Sequence, residues 1–294
     1  MTTLDDLRNF KPKFDYFIAL DSDGTIFDSM SFKHKNCFVE PLINEFDLES
    51  AEKEVSSLWR FINLNSETRG INRFEALYLL FKNLDKVSKV KLSKVKLSEI
   101  IVLKKLLKMH NSPSNDDLLS FLKNLKKKEE ERFISKAISW SNKVNEQVKI
   151  KCSSIPIIDN VLKSLKLISN YTDVMVISNT PYRTLLREWK KNKIYQFVSL
   201  IGSQETGGKS EMFKAATNGK YDRDKTLMIG DSPSDFFAAK ENKSFFYPIL
   251  PSSEKMSWKF FYDVAFEKFL MKDNFNFIQK EKISEFKRKL KFNI

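Results

Sequence analysis

Five short apolar runs punctuate the chain, most of them closed by a small or polar residue. They are Tyr16–Leu20 before Asp21, Val174–Ile177 before Ser178, Phe197–Ile201, Leu227–Ile229 before Gly230-Asp231, and a stretch from about Phe245 to Leu250. Short continuous runs, rather than alternating ones, predict strands buried on both faces. Between them the period lengthens. Residues 157–169 place Ile158, Val161, Leu162, Leu165 and Ile168 on one helical face. Residues 181–191 and 233–242 open with Pro181 and Pro233, a residue favoured in the first helical turn. This alternation predicts an α/β fold with a parallel sheet covered by helices on both faces.

One long stretch breaks the alternation. From about 30 to 150 the apolar positions follow a helical period throughout: Leu58, Phe61 and Ile62; Phe74, Leu77, Tyr78 and Phe81; Leu118, Leu119, Leu122 and Leu125; Phe133, Ala137, Trp140 and Val144. Ser114-Asn115-Asp116 reads as a capping start for the third group. An all-helical domain, 30–150, is therefore expected to interrupt an α/β domain made of 1–29 and 151–294. Within it Lys89-Val90-Lys91-Leu92-Ser93 repeats once as Lys94-Val95-Lys96-Leu97-Ser98, which is too short for a solenoid and is read as a solvated connector. Beyond 252, Trp258, Phe261, Phe266 and Phe269 predict helices packed back on the core, and Lys280–Lys291 a solvated basic helix.

Composition narrows the chemistry. The 294 residues include 51 Lys and Arg against 38 Asp and Glu, for a formal net charge of +13. Lysine is spread along the chain beside much Phe, Asn and Ile, so the charge is read as compositional bias and not as a nucleic-acid surface. Two cysteines, Cys37 and Cys152, stand far apart, which excludes a disulfide scaffold and a cysteine-rich zinc site. His34 and His110 are the only histidines. His34 and Cys37 are expected to be packing residues. No apolar run reaches the ~18 residues of a membrane span, and the first residues carry no signal-peptide core, so a soluble protein of the reducing cytoplasm is expected.

The densest chemistry follows the strands. Asp21-Ser22-Asp23-Gly24-Thr25 succeeds the first, where open α/β sheets bind ligands. Two carboxylates at i and i+2 can divide labour, one as nucleophile or metal ligand, the other exchanging protons. A plain acidic turn would also use Asp-Gly. Gly230-Asp231-Ser232-Pro233-Ser234-Asp235 succeeds the fourth strand. Asp231 and Asp235 can offer hard oxygens to Mg²⁺, or Asp231 or Ser232 can simply cap the helix. Ser178-Asn179-Thr180 can present hydroxyl and backbone donors to an anion, and Lys209 a positive charge.

In this order the set resembles the haloacid dehalogenase superfamily of phosphohydrolases, over about 15–29, 155–180 and 195–250. The resemblance implies a Rossmann-like core with the helical insertion as a cap. It implies Asp21 as nucleophile, Asp23 as general acid/base, Thr25 as a hydroxyl fixing that loop, Ser178 with Asn179 and Lys209 as phosphate binders, and Asp235 as a supporting acid. Mg²⁺ would be held by Asp21, the backbone carbonyl of Asp23, and Asp231. Lys209 lacks the Lys-Pro context common in the family, and Asn242 stands where an Ala-Gly pair is common. An acid at Asp23 separates phosphoryl chemistry from the dehalogenases. The expectation is a Mg²⁺-dependent phosphatase of a small phosphorylated metabolite, with no nucleic-acid or membrane partner. A phosphomutase on the same scaffold and a catalytically silent binding protein are the alternatives. Arg69 and Arg73, flanking Gly70 in the insertion, are candidates for gripping the leaving group.

Overall fold

The computed structural model describes residues 1–87, 97–110, 112–152 and 155–291. They form two compact units, Met1–Met30 with Ile155–Ile294, and Ser31–Ser154. The chain opens with a short helix α1 (Leu4–Asn9), capped reciprocally by Thr3 and Asp6, and enters strand β1 (Tyr16–Leu20).

The second unit follows. Helix α2 (Met30–Lys33) runs through a π-helical turn, His34–Phe38, into α3 (Val39–Phe46). Then come α4 (Glu52–Leu64), α5 (Arg73–Val87), α6 (Leu97–Met109), α7 (Asn115–Leu122) and α8 (Lys128–Lys151). The expected boundary at 150 falls just inside α8. The repeat at 89–98 lies outside the described residues except for Leu97 and Ser98, which open α6. Ser114 caps α7 as expected, with Asp117 completing the box. On α8 the residues Phe133, Ala137, Trp140 and Val144 are all buried. Trp140 meets Trp59 of α4 edge-on with ring centroids 5.7 Å apart, and Phe74 of α5 at 6.2 Å. Phe46, Phe81 and Phe133 form a second aromatic cluster. His34 is a packing residue: it stacks on Phe38 and accepts the Trp59 indole N–H at 3.1 Å. Phe61, expected on the apolar face of α4, is 43% exposed.

The first unit resumes with α9 (Val161–Ile168), β2 (Thr172–Ile177), α10 (Tyr182–Lys191), β3 (Leu200–Gly202), α11 (Lys209–Thr217), β4 (Thr226–Gly230), α12 (Pro233–Glu241) and β5 (Phe245–Pro248). All four strand pairings are parallel, in the order β3-β2-β1-β4-β5. The strands alternate between two cores. Ile18, Leu20, Val174, Val176, Leu227 and Ile229 face one; Phe17, Ala19, Met175, Ile177, Met228 and Phe246 face the other. That double burial is why the strands read as unbroken apolar runs. Leu162, expected on the buried face of α9, is 39% exposed.

The tail forms α13 (Glu254–Phe260), α14 (Phe266–Leu270) and α15 (Phe275–Lys289). Trp258, Phe261, Phe266 and Phe269 join the first core as expected. The last helix is more than a solvated basic segment, because Phe286 and Leu290 are fully buried in the second core. Among the described residues no helix is long and apolar enough to cross a membrane.

Candidate active site

The sheet order places β1 between β2 and β4, so the chain leaves β1 to build first one side of the sheet and then the other. Crevices form at such a switch point beyond the carboxyl ends of the strands. Asp21 leaves β1, Ser178 leaves β2, and Asp231 leaves β4 at this edge. Lys209 arrives there as the first residue of α11.

The turn after β1 is tightly held. Gly24 N–H donates to Phe27 O at 2.9 Å, and Ile26 N–H to Ser22 O at 2.8 Å. Two tryptophans brace it from outside. Trp189 of α10 donates to Ser22 Oγ at 3.1 Å, and Trp258 of α13 to Thr25 O at 2.7 Å. Gly24 adopts φ +80°, and a Cβ there would lie 2.1 Å from Asp231 Oδ2. Glycine is thus required twice, for the left-handed backbone and for the approach of the Asp231 carboxylate.

Lys209 is the hub. Its Nζ lies 2.9 Å from Asp21 Oδ1 and 2.7 Å from Asp235 Oδ1, and all three residues are buried. Asp235 serves a second purpose with its other oxygen. Oδ2 accepts from Ser232 N–H at 3.0 Å and Ser232 Oγ at 2.6 Å, closing the cap of α12. Ser232 is thus the cap of α12, one of the two residues expected there, and Asp235 completes the box while pairing with Lys209. Thr25 Oγ1 lies 3.3 Å from Asp231 Oδ1 and 3.5 Å from Asp21 Oδ2, spanning the turn after β1 and the turn after β4.

Asp21, Asp231 and Asp235 each place a carboxylate oxygen within 4.8 Å of the others. One ammonium among three carboxylates leaves negative charge in excess. Burial pushes the Asp21 carboxyl up to about 8, Asp235 and Asp231 adding to the rise and Lys209 opposing it. Burial disfavours the Lys209 charge, but Asp21 and Asp235 outweigh it and hold its pKa above the ordinary lysine value. Such a set of hard oxygen donors could hold a divalent cation, whose charge would offset the excess.

Asp23 stands in different surroundings. It is half-buried, with Oδ1 accepting from Ser29 Oγ and Oδ2 from Thr180 Oγ1 at 2.8 Å. Ser178 is buried, and its Oγ accepts weakly from Thr180 N–H at 3.4 Å; Asn179 between them is exposed. Ser29 and Trp189 escaped the sequence reading, which offered Thr180 only as an anion donor beside Ser178 and Trp258 only as a core residue. Thr180 adjoins Ser178-Asn179, but nothing in its spacing links it to an acid 157 positions away.

Arg69 and Arg73 belong to the helical unit. Arg69 is 4% exposed and donates to Leu64 O at 3.0 Å. Arg73 donates to Ser141 Oγ at 3.0 Å and Asn145 Oδ1 at 2.7 Å on α8, and lies over the Phe38 ring.

A family model described as haloacid dehalogenase-like hydrolase matches residues 71–246, more than half of the 294-residue chain. The span takes in Ser178, Lys209, Asp231 and Asp235, while Asp21 and Asp23 precede it. No curated protein matches the chain. A protein from Bacteroides fragilis, provisionally described as a haloacid dehalogenase-like hydrolase, superposes with a TM-score of 0.50 at 14% identity, over 83% of this chain and 93% of its own. YfnB of Bacillus subtilis, provisionally described as a HAD-hydrolase and solved bound to magnesium, gives 0.42 at 12%, over 80% and 86%. A protein of Haemophilus somnus 129pt, provisionally described as a phosphoglycolate phosphatase, gives 0.46 at 15%, over 80% and 84%. At 14% identity the likeness to the Bacteroides fragilis protein is one of fold.

Proposed function

The chain belongs to the haloacid dehalogenase-like hydrolases, and from that premise we propose that it is a Mg²⁺-dependent phosphatase acting on a small phosphorylated metabolite through an aspartyl-phosphate. The observation that carries this reading is the contrast between two acids of one turn. Asp21 is buried against Lys209 and two further carboxylates. Asp23 is half-exposed and bonded to hydroxyl groups. Neighbouring carboxyls held in unlike environments suit a division between nucleophile and proton carrier.

In this mechanism Asp21 attacks phosphorus in line, and Asp23 protonates the leaving oxygen. Asp23 then takes a proton from water, which cleaves the acyl phosphate and returns Asp21. Ser178 Oγ, the backbone N–H groups about Asn179, and Lys209 hold the phosphoryl oxygens. Asp21, the Asp23 carbonyl and Asp231 would hold Mg²⁺, which supplies positive charge beside the phosphoryl group and keeps Asp21 ionised. The raised Asp21 carboxyl, with Asp231 and Asp235 beside it, supports this reading. The helical unit is read as a cap that selects the leaving group. We assign Arg69 and Arg73 to the internal structure of that unit, since each already donates to a partner within it. No nucleic-acid partner is part of this reading.

The test is Asp23→Asn on two substrates. The readout is kcat/KM, which reports transfer from the substrate and not the shared hydrolysis of the aspartyl-phosphate; a good leaving group needs little protonation, so kcat/KM should fall by roughly 10²–10⁴-fold for an alkyl phosphate and much less for an aryl phosphate. Equal losses in kcat/KM would remove the general-acid assignment of Asp23.

A further inference from the structure

Cys37 and Cys152 are separated by 115 positions, yet the fold brings their Sγ atoms to 3.7 Å, both buried. Cys37 lies in the π-helical turn His34–Phe38, near the start of the helical unit. Cys152 follows the last turn of α8, its N–H bonded to Val148 O at 3.0 Å, near the end of that unit. Lys151 ties the two segments together. Its Nζ donates to Asn36 O at 2.9 Å and lies 3.6 Å from Glu40 Oε2, so the residue beside Cys152 is anchored on both sides of Cys37. A disulfide needs its sulfurs about 2.05 Å apart, so they must close by only about 1.7 Å. The hydrogen bond with Cys152 lowers the Cys37 thiol below the ordinary cysteine value; burial opposes this, and Lys151 and Lys33 assist it.

We propose that Cys37 and Cys152 are a redox-active dithiol that hydrogen peroxide closes to a disulfide, stapling the two ends of the helical unit. The burial of both sulfurs favours a small oxidant over a protein disulfide. The Cys37 thiolate attacks one peroxide oxygen, and the O–O bond breaks. Hydroxide leaves and takes a proton to become water, so sulfur is oxidised to the sulfenic acid as peroxide is reduced. The Cys152 sulfur then attacks the Cys37 sulfur. The S–O bond breaks, and the departing hydroxide carries off the Cys152 proton as a second water. The balance is two thiols and one peroxide to one disulfide and two waters. The new bond encloses most of the helical unit in one covalent ring, which restricts its unfolded state.

The experiment treats the purified full chain with hydrogen peroxide, blocks residual thiols with iodoacetamide, and maps tryptic peptides. The expected result is loss of both alkylatable thiols together, a linked peptide joining the fragments that begin at Asn36 and Cys152, and recovery of both thiols with dithiothreitol. The oxidised protein should melt higher by roughly 5–10 °C. Cys152→Ala should yield no link and stop with oxygen on Cys37. Two free thiols after peroxide, or added oxygen in the wild type without the linked peptide, would overturn the proposal whether or not the variant folds. A linked protein that melts no higher than the reduced one would overturn the staple.

Discussion

Gly24→Ala tests the geometry of the carboxylate cluster with one methyl group. The added Cβ would sit 2.1 Å from Asp231 Oδ2, 2.8 Å from Asp231 Cγ and 2.7 Å from Met30 Cγ, at a backbone φ of +80°. The left-handed backbone alone costs a non-glycine residue about 1–2 kcal/mol. Restoring a normal contact requires the Asp231 carboxylate to withdraw by about 1 Å, a displacement that can cost about 10²-fold in rate. Withdrawal also breaks the contact with Thr25 Oγ1 at 3.3 Å; at that length it is placed between an ordinary hydrogen bond and one to a charged group, at about 1–2 kcal/mol. Gly219→Ala is the internal control. Its φ is +73°, and nothing lies within 4 Å of the added Cβ. Gly219→Ala should therefore lose the backbone contribution of about 1–2 kcal/mol and keep full activity. Gly24→Ala should lose roughly 2–4 kcal/mol and about 10²-fold in kcat/KM. At roughly 2–4 °C per kcal/mol the two melting temperatures separate by several degrees. The assay pairs thermal melting with aryl phosphate hydrolysis in Mg²⁺. If both variants hydrolyse the substrate equally well, the close approach of Gly24 to Asp231 has no bearing on catalysis, and the reasoning fails.

Three further outcomes are expected. Chelation should stop phosphate release and Mg²⁺ restore it, with the metal also raising the melting temperature, by about 2.7 kcal/mol of added stability at a hundredfold excess over Kd; full activity in chelator would contradict the metal assignment. In chelator the folded Asp21 carboxyl, raised to about 8, keeps a proton that the unfolded chain releases near 4. Wild-type stability should therefore fall as pH rises from about 4 to 8, by up to ~1.4 kcal/mol per pH unit, while Asp21→Asn lacks this contribution and has no turnover; parallel denaturation profiles for the two proteins would refute the raised carboxyl. Arg73→Ala removes the bonds to Ser141 and Asn145 and should cost about 1–3 kcal/mol, leaving aryl phosphate turnover unchanged below the melting transition. A selective loss on the physiological substrate at unchanged stability would return Arg73 to the leaving-group site.

Much of the fold was legible because its signals are local. The strand β1 coincides with its apolar run, and the runs at β2, β4 and β5 fall within two residues of the observed strands, since double burial leaves no polar interruption to blur them. Ser114 capped α7 because a cap is decided within four residues. The third run was placed too early. Phe197 belongs to a 3₁₀ turn, and the strand is only Leu200–Gly202, because an apolar run does not say which of its residues will find a partner strand. Helix α6 was not singled out; its apolar residues crowd more than one face, and it begins on the last two residues of the repeat.

The acids and the lysine of the candidate site could be picked out as a set, because each follows a strand or opens a helix and those positions are readable one at a time. What they do to one another could not. Local pattern specifies period, caps and turns, whereas charge pairing depends on which strand ends become neighbours. The order β3-β2-β1-β4-β5 brings Lys209 between Asp21 and Asp235, frees one oxygen of Asp235 to cap α12, and sets Thr180 beside Asp23. In the helical unit the packing of α8 brings Cys152 to Cys37, although spacing alone had set the two apart. The sequence by itself determined where polar groups punctuate apolar runs, and hence which elements form and which residues emerge at their ends. Only the tertiary structure decided their partners, because contacts across a hundred or more residues are selected by the joint burial of both faces of the sheet and by the closure of the helical unit, not by any window along the chain.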